Sequence, residues 1–166
     1  NIYSFTTKFL GMTPLEHEYK VMGLAAYSKQ KYAYDLYEKI FKPVIWLDNE
    51  NNLVFRSKFN TSNFYYYLVE NAIGERFDNI AGALQIMTEK IVCAWIRNGL
   101  KKTSAKNIFL SGGVFMNVKL NQKIFEINEI EKLFLMPSCG DESNPIGACY
   151  YNSSQSGQVT KPLKNL

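Results

Sequence analysis

The alternation of helix and strand patterns in the second half of the chain is the feature that most restricts its fold. Apolar residues at three- and four-residue steps predict a long helix from about Phe77 to Lys101. The pattern "NIFL" then predicts a buried strand that enters a glycine turn, and a helix is predicted from Val118 to Glu126. A second strand pattern, "KLFL", leads through another glycine turn into a last helix. This order of elements is typical of an α/β layer.

The first half predicts shorter elements. A helix over residues 3–10 is expected to end at Gly11, with a new helix starting near Pro14. A further helix is predicted over residues 29–41. The segment "VIWLDNENNLVFR" is typical of a β-hairpin, because turn-forming residues separate two apolar runs. The aromatic residues of 64–67 are expected to be exposed, as a weak indication of a contact surface.

The composition indicates one soluble globular domain. The chain has 166 residues, 46% of them hydrophobic and 20% charged. No apolar run approaches the roughly 18 residues of a membrane span, so we expect neither a membrane span nor a signal peptide. The three cysteines lie far apart, which fits a reducing, cytoplasmic compartment. The net charge of +4 comes from scattered residues, so a nucleic-acid partner is not expected.

The glycine turn after the first strand pattern is a candidate phosphate site. Gly112 and Gly113 allow backbone amides to approach a ligand, and Asn117 has an amide to donate to a phosphate oxygen. The turn lacks the lysine of a P-loop. Since ligands bind beyond the carboxyl ends of strands, both glycine turns are expected to open onto one crevice. The structural alternative is a plain left-handed turn.

Asp141, in the second glycine turn, predicts either a metal ligand or a helix cap near Ser143 or Ile146. His17 is the one histidine of the chain, so a metal site made wholly within this chain is not expected. Glu18 and Lys20 alone would suit a solvated helix face. No Ser-His-Asp or Cys-His pattern is legible, so the catalytic residues stay unassigned.

Taken together, the blocks "EHEYKVMGLAAY", "IFLSGGVFMNVKLNQKI" and "MPSCGDESNPIGACYY" resemble the O-carbamoyltransferases of nodulation-factor and antibiotic-tailoring pathways. The resemblance implies that residues 1–152 are the carboxyl-terminal half of an actin-like, ribonuclease H-like ATPase domain, with helices packed on a mixed sheet and a small hairpin insertion. Residues 153–166 would then be a linker to a further domain, and the chain is expected to be an internal fragment.

The same resemblance assigns site residues. Ser111, Gly112, Gly113, Val114 and Asn117 match the family's phosphate loop, which holds nucleotide phosphates through backbone amides. Asp141 matches an aspartate that completes a metal site with two histidines of an earlier segment, while Gly140 and Gly147 match the surrounding turn and a close helix contact. Glu18 and Lys20 match a polar pair near the nucleotide.

The activity implied by this resemblance is transfer of a carbamoyl group from carbamoyl phosphate to a hydroxyl of a small-molecule or sugar acceptor, through a carbamoyl-adenylate made from ATP. The implied cofactors are ATP, a divalent iron, manganese or zinc ion, and Mg²⁺ with the nucleotide. The oligomeric state, a homodimer included, stays open, and the fragment alone is expected to be inactive.

Departures from the family pattern concern loop shape. Ala26-Tyr27-Ser28 stands where Pro-Tyr-Gly is usual, and Asn144-Pro145 follows Ser143 in the metal turn. Two alternatives stay open. One is a related enzyme on the same scaffold, such as a threonylcarbamoyl transferase acting on tRNA or a kinase. The other is a non-catalytic nucleotide-binding or partner-docking module.

Overall fold

The computed structural model describes residues 1–157, and the chain divides into two compact units. The first unit is Asn1–Ser104, and the second begins at Ala105. The helices and strands of the first unit are α1 (Ile2–Phe9), α2 (Glu18–Ala25), α3 (Gln30–Leu36), β1 (Ile45–Leu47), β2 (Phe55–Ser57), α4 (Phe64–Asn71) and α5 (Phe77–Thr103). Those of the second unit are β3 (Asn107–Leu110), α6 (Val118–Phe125), β4 (Lys132–Leu135) and α7 (Ser143–Gln155).

The long helix α5 is the centre of the first unit. Every residue from 79 to 85 is buried, because α1, α2 and α3 all contact this helix. Gly82 makes the closest approach: a Cβ built there would lie 2.3 Å from Ser28 Oγ and 2.9 Å from Ala33 Cβ. The predicted helix over Phe77–Lys101 is therefore confirmed, and its glycine-bearing face is where α3 packs.

The helix α4 was not predicted from the sequence, and the expectation of exposed aromatics over residues 64–67 is wrong for most of them. Phe64 is fully buried, and its ring lies 5.7 Å from that of Phe41 and 5.8 Å from that of Tyr67. Among residues 64–67, only Tyr66 is exposed. A helix distributes consecutive residues around its axis, so a run of aromatics cannot all face solvent.

The predicted helix over residues 29–41 is confirmed, with a change of winding. Its last turn, Tyr37–Phe41, is a π-helix. The Tyr67 hydroxyl donates a hydrogen bond to the Ile40 carbonyl oxygen at 3.1 Å. The wider turn thus presents a carbonyl group to a side chain of α4, which ties these two helices together.

The predicted helix over residues 3–10 and its end at Gly11 are confirmed, whereas the next helix starts later than expected. The predicted start lay near Pro14, but α2 begins at Glu18. Leu15 has a φ of 68°, which is incompatible with a right-handed helix. The Thr13 amide donates to His17 Nδ1 at 3.1 Å and closes this segment as a turn.

The predicted hairpin is confirmed as the antiparallel pair β1–β2, in which Trp46 lies opposite Arg56. Its loop is fixed to α5 by two side chains. Trp95 Nε1 donates to the Leu53 carbonyl oxygen at 3.0 Å, and Asn98 Nδ2 donates to the Asn52 carbonyl oxygen at 3.0 Å. These two hydrogen bonds hold the hairpin loop against α5 of the first unit.

In the second unit, β3 and β4 are parallel neighbours, with Leu110 opposite Leu135. Helix α6 connects them, which confirms the predicted order of strand, helix and strand. The expectation that the first of these strands is buried holds for Leu110 alone. Phe109 is exposed and stacks on Phe134 with ring centroids 5.0 Å apart. Helices with a parallel and an antiparallel strand pair agree with the predicted α/β class.

The last helix, α7, continues through Gln155, so the first three residues of the predicted linker over 153–166 are helical. Residues 158–166 of that predicted linker lie outside the described residues. Among the helices of residues 1–157, none combines the length and the apolarity that crossing a bilayer demands.

Candidate functional site

The parallel pairing of β3 and β4 brings the two glycine turns to the same edge of their sheet. The last ladder bond runs from the Met136 amide to the Leu110 carbonyl oxygen at 2.9 Å. Just beyond it, the Ser111 hydroxyl donates to Ser143 Oγ at 2.8 Å. The carboxyl ends of the two strands therefore place both predicted ligand turns in contact with each other.

The first glycine turn has a backbone conformation that only glycine adopts readily. Gly112 has φ 109° and ψ 150°, a conformation essentially reserved for glycine. The Phe115 amide then bonds to the Gly112 carbonyl oxygen at 2.9 Å and starts a short 3₁₀ turn over Gly113–Met116. Within residues 1–157, the amides of Gly112, Gly113 and Val114 donate to no acceptor. Successive unengaged amides of this kind form concavities that suit phosphate oxygens.

Asn117 has a structural role at the end of this loop. Its Oδ1 accepts a hydrogen bond from the Leu120 amide at 3.0 Å and caps α6. Asn121, which sequence reasoning missed, donates from Nδ2 to the Phe115 carbonyl oxygen at 2.7 Å. Asn121 Oδ1 is buried without a hydrogen-bond partner within residues 1–157. These two asparagines hold the 3₁₀ turn against α6, and no sequence pattern distinguishes Asn121 from an ordinary helix residue.

Asp141 lies exposed in the second turn, directly before α7. Its carboxylate has no hydrogen-bond or ion-pair partner within residues 1–157, so the predicted capping of α7 by this side chain is not seen. The turn is closed by the Ser143 hydroxyl, which donates to the Gly140 carbonyl oxygen at 2.9 Å. The side chain left free by this arrangement is the one that was predicted to bind a metal.

The neighbouring Glu142 carboxylate shapes the same turn. It accepts hydrogen bonds from the Ser138 hydroxyl and from the Gly140 amide, the latter at 3.2 Å. The hydrogen bond from Ser138 and the backbone hydrogen bonds lower the pKa of Glu142 below its ordinary value. A Cβ on Gly140 would meet this carboxylate, so an alanine there would displace the Glu142 side chain.

The residues present fit a metal only in part. An exposed, unengaged carboxylate such as Asp141 is a suitable oxygen ligand for a divalent cation. The described part of the chain, however, contains no group of three or more His, Cys, Asp or Glu side chains arranged to hold an ion. Asp141 therefore fits as one ligand of a set that residues 1–157 do not complete.

Glu18 and Lys20 both lie on α2 of the first unit. Glu18 Oε1 accepts a hydrogen bond from the Leu15 amide at 2.7 Å, which stabilises the start of the helix. Lys20 is exposed, and its Nζ lies 5.7 Å from the centre of the Tyr19 ring. These contacts give Glu18 a local structural role and leave the ammonium group of Lys20 at the surface.

A buried polar network of the first unit was also missed by sequence reasoning. The Tyr3 hydroxyl donates to Gln85 Oε1 at 3.4 Å, and Gln85 Nε2 donates to Glu89 Oε1 at 2.8 Å. Burial, and secondarily the charges of Glu18 and Glu89, raise the pKa of Tyr3 above its ordinary value. The hydroxyl is thus held as a neutral donor between α1 and α5.

Comparisons with known proteins point to one family. The family model described as "Carbamoyltransferase N-terminus" matches residues 1–150. An uncharacterized protein of Methanocaldococcus jannaschii is 30% identical over 171 residues, covering 100% of this chain and 27% of that protein. The nodulation protein NolNO of Sinorhizobium fredii is 28% identical, covering 95% of this chain and 23% of its own length.

A second nodulation protein, NolO of Bradyrhizobium diazoefficiens, is 26% identical over 159 residues, covering 94% of this chain and 28% of its own length. The chain thus spans about a quarter of the length of the curated relatives it matches.

Proposed function

The chain belongs to the family of carbamoyltransferase amino-terminal domains, and from this we propose that the protein carrying it transfers a carbamoyl group from carbamoyl phosphate to a hydroxyl of a small-molecule or sugar acceptor. We assign the chain to part of an actin-like ATPase domain, on the three sequence blocks and the strand–glycine turn–helix order of the second unit. The observation that carries the proposal is the row of unengaged amides at Gly112, Gly113 and Val114, beside the Asp141 turn.

In this proposal the loop binds the phosphates of ATP. The amides of Gly112, Gly113 and Val114 donate to phosphate oxygens, and the unusual backbone of Gly112 keeps them directed outward. Asn117 and Asn121 fix the loop from the α6 side. Glu18 and Lys20 are assigned to the nucleotide's surroundings on the family resemblance alone. Because the donors are preformed, binding orders little additional chain.

The proposed reaction has two transfers. Water releases phosphate from carbamoyl phosphate, and an oxygen of the resulting carbamate bonds to the α-phosphorus of ATP as pyrophosphate leaves. The oxygen of the acceptor hydroxyl then bonds to the carbamoyl carbon as its proton passes to solvent, and AMP leaves with the electron pair of the broken C–O bond. The adenylate is needed because carbamate itself is a poor electrophile. The amides of the loop contribute by holding the phosphates in line for displacement.

Asp141 is proposed as the one metal ligand that residues 1–157 supply. An iron, manganese or zinc ion suits a site of one carboxylate and two imidazoles, with Mg²⁺ accompanying ATP. When bound, such an ion would neutralise phosphate charge. We expect Asp141→Ala to lose metal, measured by elemental analysis of the complete protein, and to lose adenylation. Glu129→Ala, which removes an exposed carboxylate of the same unit, should retain both. Normal metal content in Asp141→Ala would show that Asp141 is not a metal ligand.

Pyrophosphate release from ATP by the complete protein tests the function. We expect release that requires carbamoyl phosphate, and little or none from residues 1–166 alone. Release without carbamoyl phosphate would identify a different activated substrate, as a threonylcarbamoyl transferase or another enzyme of the same scaffold would show. ATP binding without any turnover would favour a non-catalytic nucleotide-binding module instead.

A further inference from the structure

Two serine hydroxyls form a chain of hydrogen bonds between the glycine turns of the second unit. Ser111 Oγ donates to Ser143 Oγ at 2.8 Å, and Ser143 Oγ donates onward to the Gly140 carbonyl oxygen at 2.9 Å. Both hydroxyls are partly buried. Ser111 and Ser143 are 32 residues apart, so this contact depends on the tertiary fold and on no local helix or turn.

The position of this chain matters because its ends adjoin the two proposed ligand sites. Ser111 directly precedes Gly112, where the row of unengaged amides begins. Gly140 directly precedes Asp141. The β3–β4 ladder ends with the Met136 amide bonded to the Leu110 carbonyl oxygen. In the part of the chain that the structure describes, no backbone–backbone hydrogen bond joins the turns beyond that point. The Ser143 hydroxyl therefore links the two turns by hydrogen bonds beyond the end of the β3–β4 ladder.

We propose that Ser143 is a positioning residue that couples the phosphate loop to the Asp141 turn. The inference rests on the proposed function, because it takes Gly112–Val114 as the ATP site and Asp141 as the metal site. By thermodynamic linkage, a metal ion that orders the Asp141 turn then strengthens ATP binding, and ATP strengthens metal binding by the same factor. Ser143 acts through Ser111 and Gly140 and needs no contact with either ligand.

A double-mutant cycle on the complete protein tests the coupling. ATP affinity is measured by calorimetry, with and without Mn²⁺, for the wild type, Ser111→Ala, Ser143→Ala and the double variant. In Mn²⁺, each single variant is expected to bind ATP about two- to tenfold more weakly than the wild type, the share of one neutral hydrogen bond. The gain in ATP affinity that Mn²⁺ gives the wild type should shrink by the same factor, and an equal loss with and without Mn²⁺ would contradict the coupling. The double variant should lose little more than either single variant, because both remove the same contact.

Two further variants separate positioning from general damage. Ser143→Thr retains the hydroxyl and should restore most of the affinity. Ser154→Ala makes the same change at an exposed position of α7 and should bind like the wild type. Unchanged affinity in Ser143→Ala, or losses that multiply in the double variant, would overturn the coupling.

Hydrogen exchange in the absence of nucleotide provides a readout that does not depend on the proposed function. The Phe115 and Asn117 amides bond to the Gly112 and Val114 carbonyl oxygens and report the shape of the loop. We expect Ser143→Ala to accelerate their exchange and Ser154→Ala to leave it unchanged. If the wild type binds no ATP, the proposed function fails while this exchange still decides whether Ser143 positions the loop. Equal exchange in Ser143→Ala and wild type would contradict the coupling.

Discussion

Asn117 closes the phosphate loop at its carboxyl end, where its Oδ1 accepts the Leu120 amide. Replacement by Ala should destabilise the second unit by about 0.5–2 kcal/mol, the usual contribution of such a cap. Asn117→Asp preserves the acceptor and should leave stability near that of the wild type. Urea unfolding measures both. An Asn117→Ala variant as stable as the wild type would show that the cap contributes nothing.

The Asn117→Asp variant also tests the role that the sequence predicted for this residue. If the side chain lies near bound phosphate, the added negative charge should weaken ATP binding while the fold remains intact. Affinity equal to that of the wild type would limit Asn117 to capping.

Glu142 is expected to make the stability of the second unit depend on pH. The pKa of its carboxyl group is lowered in the folded protein, first by the hydrogen bond from Ser138. The resulting stabilisation is present above the ordinary pKa near 4.5 and is lost as the pH falls through the lowered folded value. We expect Glu142→Gln to be less stable than the wild type at pH 6–7, with the difference disappearing towards pH 3. Denaturant unfolding between pH 3 and pH 7 measures this difference in stability, with Glu129→Gln as the control. A difference between Glu142→Gln and the wild type that does not change with pH would contradict the prediction.

At the residue scale, the need for glycine in the first turn was predictable from the sequence, and the side-chain contacts around that turn were not. Gly112 was predicted to supply conformational freedom, and its φ of 109° requires it. The side-chain oxygen of Asn117 caps α6, a contact that was not predicted, while the predicted donation of its amide to phosphate stays a prediction. The hydroxyl contact of Ser143 with Ser111 was not predictable, because a contact over 32 residues leaves no trace in local sequence.

At the element scale, the packing of α5 depends on Gly82. A Cβ at this position would approach Ser28 and Ala33 more closely than real side chains allow. Gly82→Ala should therefore destabilise the first unit by about 1–3 kcal/mol, as overpacking usually does. Gly23→Ala is the matched control, since Gly23 is an exposed helical glycine with open space around it. That variant should be neutral or up to about 1 kcal/mol more stable.

Thermal unfolding of Gly82→Ala and Gly23→Ala measures the difference in stability between the two variants. If Gly82→Ala were as stable as Gly23→Ala, the close approach of α3 to α5 would be wrong.

Elements with strong periodicity were predictable, and elements defined by tertiary contacts were not. The apolar face of α5 repeats over many turns, so its limits were predicted to within a few residues. Helix α4 is short, and its run of aromatics has no clear period, so only the packing of Phe64 and Leu68 reveals it. The π turn at Tyr37–Phe41 accepts a hydrogen bond from Tyr67 of a different helix, a contact that no local pattern indicates.

At the scale of the whole molecule, the residues that the resemblance assigns to the site are divided between the two compact units. The phosphate loop and Asp141 belong to the second unit, whereas Glu18 and Lys20 belong to the first. The sequence blocks predicted the family, and the match over residues 1–150 confirms that prediction. A full set of ligands for the proposed metal was not predictable, because residues 1–157 hold no group of three or more His, Cys, Asp or Glu side chains arranged to bind an ion.

The measurement that tests the central claim most directly is the ATP affinity of the complete protein carrying Gly112→Ala, compared with Gly147→Ala. Alanine disfavours the φ of 109° at Gly112, so the loop of the variant is expected to adopt another backbone conformation. Restoring the conformation that binds ATP would cost about 1–3 kcal/mol, or roughly five- to 150-fold in affinity. Within residues 1–157, Gly147 lies exposed on α7 with open space around it, so the close helix contact that the resemblance implied for it is not seen. Its variant should therefore bind ATP like the wild type. Equal affinities in the two variants would contradict the assignment of the Gly112–Val114 amides to the phosphates of ATP.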